Sequence, residues 1–123
     1  MIRIAYCDDS PMQQELLDEW IKVYTAKKGI TIECTIFTDG ATLIGHVKNN
    51  EPFDIYILDI ILPDVRGTEV ADSIKEMQED AKIIFLTASA AFRGSVNAFG
   101  YLVKPVSPEQ IYSILDEAIA ELS

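Results

Sequence analysis

One stretch of the sequence, FDIYILDIILPDVRG at residues 53–67, constrains the fold more than any other. Its apolar residues run from Ile55 to Leu62 without the polar alternation of a strand that has one face in water. Such a run is typical of a strand buried on both faces of a parallel sheet. One carboxylate, Asp59, interrupts it, and a buried carboxylate needs a charged or hydrogen-bonding partner. The sequence therefore predicts a covered parallel sheet with an acid at the rim of one strand.

Strand-like and helix-like stretches alternate along the chain. Strands are predicted at 2–7, 30–37, in the stretch above, and at 82–88 and 98–103. Helices are predicted from 11 to about 29, from 39 to about 47, from about 68 to 77, over a short segment at 90–97, and from 107 to the end. The first and last helices both begin with Ser-Pro-x-Gln, which combines an N-cap serine, a proline at the first helical position and a capping-box glutamine. This alternation predicts βαβ units with right-handed crossovers.

Length and composition exclude several classes of protein. A chain of 123 residues is expected to form one domain, residues 1–123, with its own core. No apolar run is long enough to cross a membrane and the first residues lack a signal-peptide pattern, so a cytoplasmic location is expected. The net charge of −10 disfavours non-specific binding to nucleic acid. Cys7 and Cys34 lie in apolar stretches and are expected to be reduced core thiols.

Polar residues follow four of the predicted strands. They are Asp8 and Asp9 after the first, Asp59 in the third, Thr87 at the end of the fourth and Lys104 after the fifth. In a parallel α/β sheet these strand ends share one edge, where ligands bind. Two like charges 4 Å apart repel by about 4 kcal/mol at an effective dielectric of 20, so the acids require a cation. Lys104 supplies one charge, and Mg²⁺, which retains several waters, would supply two more.

This set of residues suits phosphoryl transfer. A carboxylate can attack a phosphoryl group as a nucleophile. A hydroxyl, an ammonium and a metal can position that group and neutralise its oxygens. No residue is placed as an acid–base catalyst, so the chemistry is expected to be slow or to depend on the donor. A purely structural alternative is an Asp–Lys ion pair beside two acids that cap helices.

The same residues, with Pro63 and Gly67, resemble the site of response-regulator receiver domains, and the resemblance covers essentially the whole chain. It implies a flavodoxin-like, doubly wound α/β fold with strand order 2-1-3-4-5 and five helices, of which the fourth is short. It also implies that a histidine kinase phosphorylates Asp59. The resemblance further implies that Asp9, Asp59 and the backbone carbonyl of Ile61 bind Mg²⁺, and that Asp8 contacts the ion through a water. Lys104 and Thr87 would contact oxygens of the phosphoryl group, and the bond before Pro105 would be cis. Thr87 and Tyr101 would form the switch that reports phosphorylation.

Finer features resemble receivers of the LytR/AlgR type, in which a DNA-binding domain usually follows. They are the stretches YCDDS, FDIYILDI, IIFLTAS and VNAFGYLVKPVS. The resemblance favours a receiver separated from such an output domain, and a stand-alone receiver is the alternative. DNA would be contacted only through the missing part. A homodimer formed on phosphorylation would be a further partner. The stretch from Thr87 to Lys104 is about one helical turn shorter than is usual in the family.

Three other classes of protein share parts of this pattern. An aspartate-nucleophile phosphatase would need a second acid two residues after Asp59, where the chain has Ile61. A flavodoxin would need a phosphate loop rather than acids after the first strand. A degenerate receiver that only binds partner proteins stays open. Ser89 and Ile61 flank the site without an acid or amide to position water, so no catalysis is expected beyond the domain's own phosphorylation and its slow reversal.

Overall fold

The structure is a computed structural model that describes residues 1–122. In chain order its elements are β1 (Ile2–Cys7), α1 (Pro11–Lys28), β2 (Ile32–Phe37), α2 (Gly40–Lys48), β3 (Ile55–Leu58), α3 (Gly67–Met77), β4 (Lys82–Thr87), β5 (Gly100–Val103) and α4 (Pro108–Ala120). The strands form one sheet in the order β2-β1-β3-β4-β5, and every neighbouring pair is parallel. The predicted doubly wound α/β fold and strand order are therefore confirmed.

The helices cover both faces of this sheet, which explains the apolar strands. One core contains residues of α1 and α4, namely Leu17, Ile21, Tyr24, Ile111, Leu115 and Ala118. The opposite core contains residues of α2 and α3, namely Leu43, Val47, Val70, Ala71 and Ile74. Successive residues of β1 alternate between these cores, since Ile4 and Tyr6 join the first and Ala5 and Cys7 the second. All four residues of β3 are buried, as the absence of polar alternation predicted.

The prediction of five helices is wrong for the described residues, which contain four. Residues 90–97 form only a 3₁₀ turn, Arg93–Ser95, between β4 and β5. The hydroxyl of Ser95 donates to the carbonyl of Phe92 at 3.1 Å, and the backbone N–H of Ser95 donates to the same carbonyl at 3.0 Å. Side-chain bonds of this kind compete with the helical hydrogen-bond ladder, and Gly94 further disfavours it. Lys75 of α3 also donates to the carbonyl of Asn97 at 2.8 Å, which ties the end of this segment to α3.

The first turn of α1 also differs from expectation. Ser10 is the N-cap, but the expected reciprocal bond from Gln13 is replaced, because the N–H of Ser10 donates to Asp8 Oδ1 at 2.9 Å. The capping box forms at α4, where Ser107 and Gln110 exchange both bonds. A carboxylate two residues before the cap thus takes the place of the glutamine in α1.

Two further expectations concern the cysteines and membrane-spanning helices. Cys7 is buried and Cys34 half-buried, and both are free thiols. Burial raises the pKa of each to about 12, followed by the charges of several acids for Cys7 and of Asp18 for Cys34, so neither is a reactive thiolate near neutral pH. Within the described part of the chain, no helix is long and apolar enough to cross a membrane.

Candidate functional site

The register of the sheet brings the predicted polar residues to one edge. Cys7 pairs with Leu58, so the residues that follow them, Asp8 and Asp59, lie side by side. The ladder continues beyond both strands, because Asp59 N–H donates to the carbonyl of Cys7 at 2.9 Å. On the other side, the N–H of Lys104 donates to the carbonyl of Thr87 at 2.8 Å. The strand ends therefore place the two acids, the hydroxyl and the lysine at neighbouring positions.

Lys104 joins the two acids. Its Nζ lies 2.7 Å from Asp8 Oδ2 and 3.2 Å from Asp59 Oδ2, and its side chain is only 13% exposed. The peptide bond to Pro105 is cis, as the family resemblance implied. Burial by itself would lower the pKa of the Lys104 ammonium, but the hydrogen bond to Asp8 and the charges of Asp59 and Asp8 outweigh it and raise that pKa. Lys104 therefore stays charged at neutral pH and offsets the repulsion between the carboxylates.

Asp8 is the more tightly held of the two acids. It is fully buried and accepts hydrogen bonds from Lys104 and Ser10 and from the hydroxyl of Tyr6, whose oxygen is 2.7 Å from Asp8 Oδ2. Burial, followed by the hydrogen bond to Asp8 and its charge, raises the pKa of the Tyr6 phenol, so the hydroxyl remains a donor. Sequence analysis missed Tyr6. The available signal was its position two residues before Asp8, which places both on the same face of the strand.

The Asp59 carboxylate accepts fewer hydrogen bonds than the Asp8 carboxylate, and they are longer. Its residue exposure is 8%, and its Oδ1 accepts only the backbone N–H of Ile61 at 3.2 Å. Its other oxygen takes the longer of the two Lys104 bonds. A carboxylate held by only two hydrogen bonds, each 3.2 Å long, can serve as a nucleophile. Of the two acids on Lys104, geometry favours Asp59 over Asp8 for this role.

The loop between β3 and α3 is fixed from both ends. A Cβ on Gly67 would lie 2.0 Å from the backbone oxygen of Asp59, so only glycine lets α3 begin this close to the strand end. At the loop's far side, the Asp64 carboxylate accepts the N–H groups of Gly40 at 3.0 Å and Ala41 at 2.9 Å, at the start of α2. These bonds lower the pKa of Asp64. Ile61, which is 57% exposed, is thereby held beside Asp59, to which its N–H donates.

The two predicted switch residues are linked through Ser89. The N–H of Ser89 donates to Thr87 Oγ1 at 3.5 Å, and its carbonyl accepts the hydroxyl of Tyr101. Thr87 is fully buried, and Tyr101 is half-buried with its ring 6.0 Å from that of Phe85. Arg93 lies over the outer side of the Tyr101 ring, 5.2 Å from its centre. The Tyr101 side chain is thus held against Phe85 and the loop that follows β4.

The carboxylate oxygens of the site suit Mg²⁺, but they do not surround a metal ion with protein ligands alone. Within residues 1–122, no group of three or more His, Cys, Asp or Glu side chains converges in the way a metal cage requires. Asp8 and Asp59 share Lys104, whereas Asp9 is exposed. Mg²⁺ is commonly bound through one or two carboxylates and retains several waters, so this open set of oxygen donors suits it.

With this geometry in place, comparison with known proteins identifies the family. The family model for the response regulator receiver domain matches residues 4–116. This chain therefore belongs to the response-regulator receiver domains, the signal-receiving domains of two-component systems.

Individual relatives agree with this assignment. The chain is 30% identical over 120 residues to the positive alginate biosynthesis regulatory protein of Pseudomonas aeruginosa, covering 95% of this chain and 47% of that protein. This relative is consistent with the resemblance to LytR/AlgR-type regulators. A probable transcriptional regulator of Porphyra purpurea is 29% identical over 111 residues, which is 85% of this chain and 52% of that protein. The chain thus spans about half the length of these curated relatives.

Solved structures have the same fold. The response regulator TrrA of Thermotoga maritima, solved in complex with Mg²⁺-BeF, superimposes with a TM-score of 0.82 at 30% identity, covering 96% of this chain and 99% of that one. The response regulatory domain of mrkE from Klebsiella pneumoniae has a TM-score of 0.85 at 22% identity, covering 98% and 97% respectively. The second likeness supports the fold alone.

Proposed function

We propose that this domain accepts a phosphoryl group on Asp59 from a phosphohistidine of a sensor histidine kinase. An Asp59 carboxylate oxygen would attack the phosphorus, forming an O–P bond while the P–N bond of the donor breaks. The electron pair would leave with the imidazole nitrogen, which takes up a proton. The observation that carries this proposal is the division of Lys104 between the two acids, with Asp8 held at 2.7 Å and Asp59 left on the longer bond.

Lys104 has a second part in this reaction. Once Asp59 is converted to an acyl phosphate, its carboxylate charge is lost, and the ammonium can pair with a phosphoryl oxygen instead. The shorter bond to Asp8 would keep Lys104 at the site during this exchange. Phosphoryl transfer depends mainly on such positioning and charge stabilisation. We assign no catalysis to the domain beyond its own phosphorylation and slow hydrolysis, since Ile61 and Ser89 carry no acid or amide.

Mg²⁺ would be held by Asp9, Asp59 and the backbone carbonyl of Ile61, with Asp8 contacting it through a water. When bound, the ion neutralises phosphoryl oxygens and aligns them for transfer. The open oxygen set supports this assignment, as does the solved relative in complex with Mg²⁺-BeF. Asp9 is exposed, so its carboxylate has room to turn toward a metal. The loop anchored by Gly67 and Asp64 would keep the Ile61 carbonyl close to Asp59, whose Oδ1 accepts the N–H of Ile61.

Metal dependence provides the first test of this function. With acetyl phosphate and Mg²⁺, the wild-type chain should gain the mass of one phosphoryl group, and EDTA should prevent the gain, because the acids otherwise repel an incoming dianion. Asp9→Ala should weaken Mg²⁺ binding more than Asp8→Ala, as measured by calorimetry. An equal mass gain in EDTA would contradict the scheme. No gain under either condition would favour a domain that acts only through protein contacts.

The backbone of Ser89 would couple phosphorylation of Asp59 to a change at the surface of the domain. If the Thr87 hydroxyl turns toward a phosphoryl oxygen, it releases the N–H of Ser89, whose carbonyl holds Tyr101. The surface around residues 90–97 and β5 would then change. By resemblance, that surface would control a homodimer or a DNA-binding output domain elsewhere in the protein. Couplings between sites in proteins are commonly about 1–3 kcal/mol, which suffices to alter such an association.

Lys104→Ala tests this coupling. The variant should still accept phosphate, though slowly, and should transmit little of the change. We expect NMR shifts at Thr87, Ser89 and Tyr101 when beryllofluoride and Mg²⁺ are added to wild type, and much smaller ones in Lys104→Ala. Tyr101→Phe serves as a second variant, since it removes only the hydroxyl that donates to the carbonyl of Ser89. Shifts of equal size in wild type and Lys104→Ala would show that Lys104 does not take part in the switch.

A further inference from the structure

Tyr6 places a buried hydroxyl directly on the candidate site. Its side chain is fully buried in the core beneath α1 and α4, and its oxygen lies 2.7 Å from Asp8 Oδ2. The phenol thus contacts an acid of the site, although nothing in the phosphoryl-transfer scheme above uses it.

The hydrogen bonds of Asp8 are nearly complete. A carboxylate offers about four acceptor positions. Oδ2 accepts from both Tyr6 and Lys104, and Oδ1 accepts from the N–H of Ser10 at 2.9 Å. At most one position, on Oδ1, is then free to accept a hydrogen bond from a metal-bound water.

We propose that Tyr6 is a positioning residue that holds Asp8 on Lys104 and thereby lowers the Mg²⁺ affinity of the site. A hydroxyl that donates to a carboxylate withdraws negative charge density from it and occupies a lone pair. Without the Tyr6 hydroxyl, Oδ2 of Asp8 has a free acceptor position. This inference rests on the proposed function, because it concerns the same Mg²⁺ site.

The chain offers a matched control in Tyr56. This second tyrosine is also fully buried on a central strand, and its hydroxyl lies 2.7 Å from Gln78 Oε1 and accepts the N–H of Phe53 at 2.9 Å. Neither partner belongs to the candidate site. Tyr56→Phe therefore removes a buried, hydrogen-bonded hydroxyl of the same kind without changing the contacts of Asp8.

The experiment is calorimetric titration of Mg²⁺ into wild type, Tyr6→Phe and Tyr56→Phe at neutral pH. Tyr6→Phe should bind Mg²⁺ about fivefold more tightly than wild type, the lower end of typical coupling between sites. Tyr56→Phe should bind it with the wild-type affinity. A hydroxyl that mattered only for packing would not produce a gain in affinity on removal.

The outcomes separate this inference from the proposed function. If wild type binds Mg²⁺ and Tyr6→Phe binds it equally or more weakly, the role assigned to Tyr6 is overturned while the site stands. If wild type binds no Mg²⁺, both are overturned. A second measurement needs no variant at position 6. In wild type with ¹³Cζ-labelled tyrosine, added Mg²⁺ should shift the Tyr6 signal and leave that of Tyr56 in place, and an unchanged Tyr6 signal would also overturn the inference.

Discussion

Asp59→Asn is expected to abolish the mass gain that wild type shows with acetyl phosphate and Mg²⁺. An amide is a far weaker nucleophile than a carboxylate, and none of the other acids has the placement of Asp59. Asp8 is fully buried and accepts three hydrogen bonds, whereas Asp9 is exposed and outside the Lys104 contacts. Intact-protein mass spectrometry after a time course measures the effect.

The fold should tolerate this substitution. Asp59→Asn removes one charge from a cluster of like charges and leaves an oxygen that can still accept the N–H of Ile61. Circular dichroism and chemical denaturation should therefore show a folded domain, with stability close to wild type. A folded variant that still gained the mass at the wild-type rate would show that the acceptor is another residue.

Gly67→Ala is expected to have the largest effect on stability. The added Cβ would lie 2.0 Å from the backbone oxygen of Asp59 and 2.8 Å from Cα of Ile60, and backbone atoms cannot move aside as a side-chain tip can. Overpacking of this kind commonly costs about 1–3 kcal/mol, and a backbone clash should reach at least the upper end. The shift would also displace Asp59, so phosphorylation should slow along with the loss of stability.

Gly45→Ala provides the matched control, because a Cβ at this position in α2 meets no atom within 4 Å. Replacing a glycine inside a helix by alanine should stabilise the domain by about 0.5–1 kcal/mol. Urea denaturation of both variants measures the difference. If Gly67→Ala were as stable as wild type, the close approach of α3 to the strand end would be wrong.

The fold and the central residues of the site could be predicted because their signals are local. The non-alternating run around Asp59 indicates a strand covered on both faces, and all of Ile55–Leu58 is buried. Asp8, Thr87 and Lys104 follow strand patterns, so a parallel sheet brings them together whatever the loops do. The strand order, in contrast, came from the family resemblance and not from any pattern of residues.

Features that depend on pairs distant in sequence could not be predicted in this way. The anchoring of the β3–α3 loop by Asp64 at the start of α2 joins residues 24 positions apart and leaves no periodic pattern. The expected helix at 90–97 was wrong because local bonds of Ser95 competed with the helical ladder. Asp8 and Asp9 both follow β1, but adjacent residues in extended backbone point to opposite sides. Asp8 is buried against Lys104, whereas Asp9 is exposed.

The central claim is that Asp59 is the single phosphoryl acceptor of this domain. The most direct measurement is to treat the wild-type chain with acetyl phosphate and Mg²⁺, reduce the acyl phosphate with borohydride, and map the converted residue by peptide mass spectrometry. The account predicts one modified residue per chain, Asp59, and none when EDTA replaces Mg²⁺. Conversion of Asp8 or Asp9 instead, or no conversion at all in the presence of Mg²⁺, would contradict it.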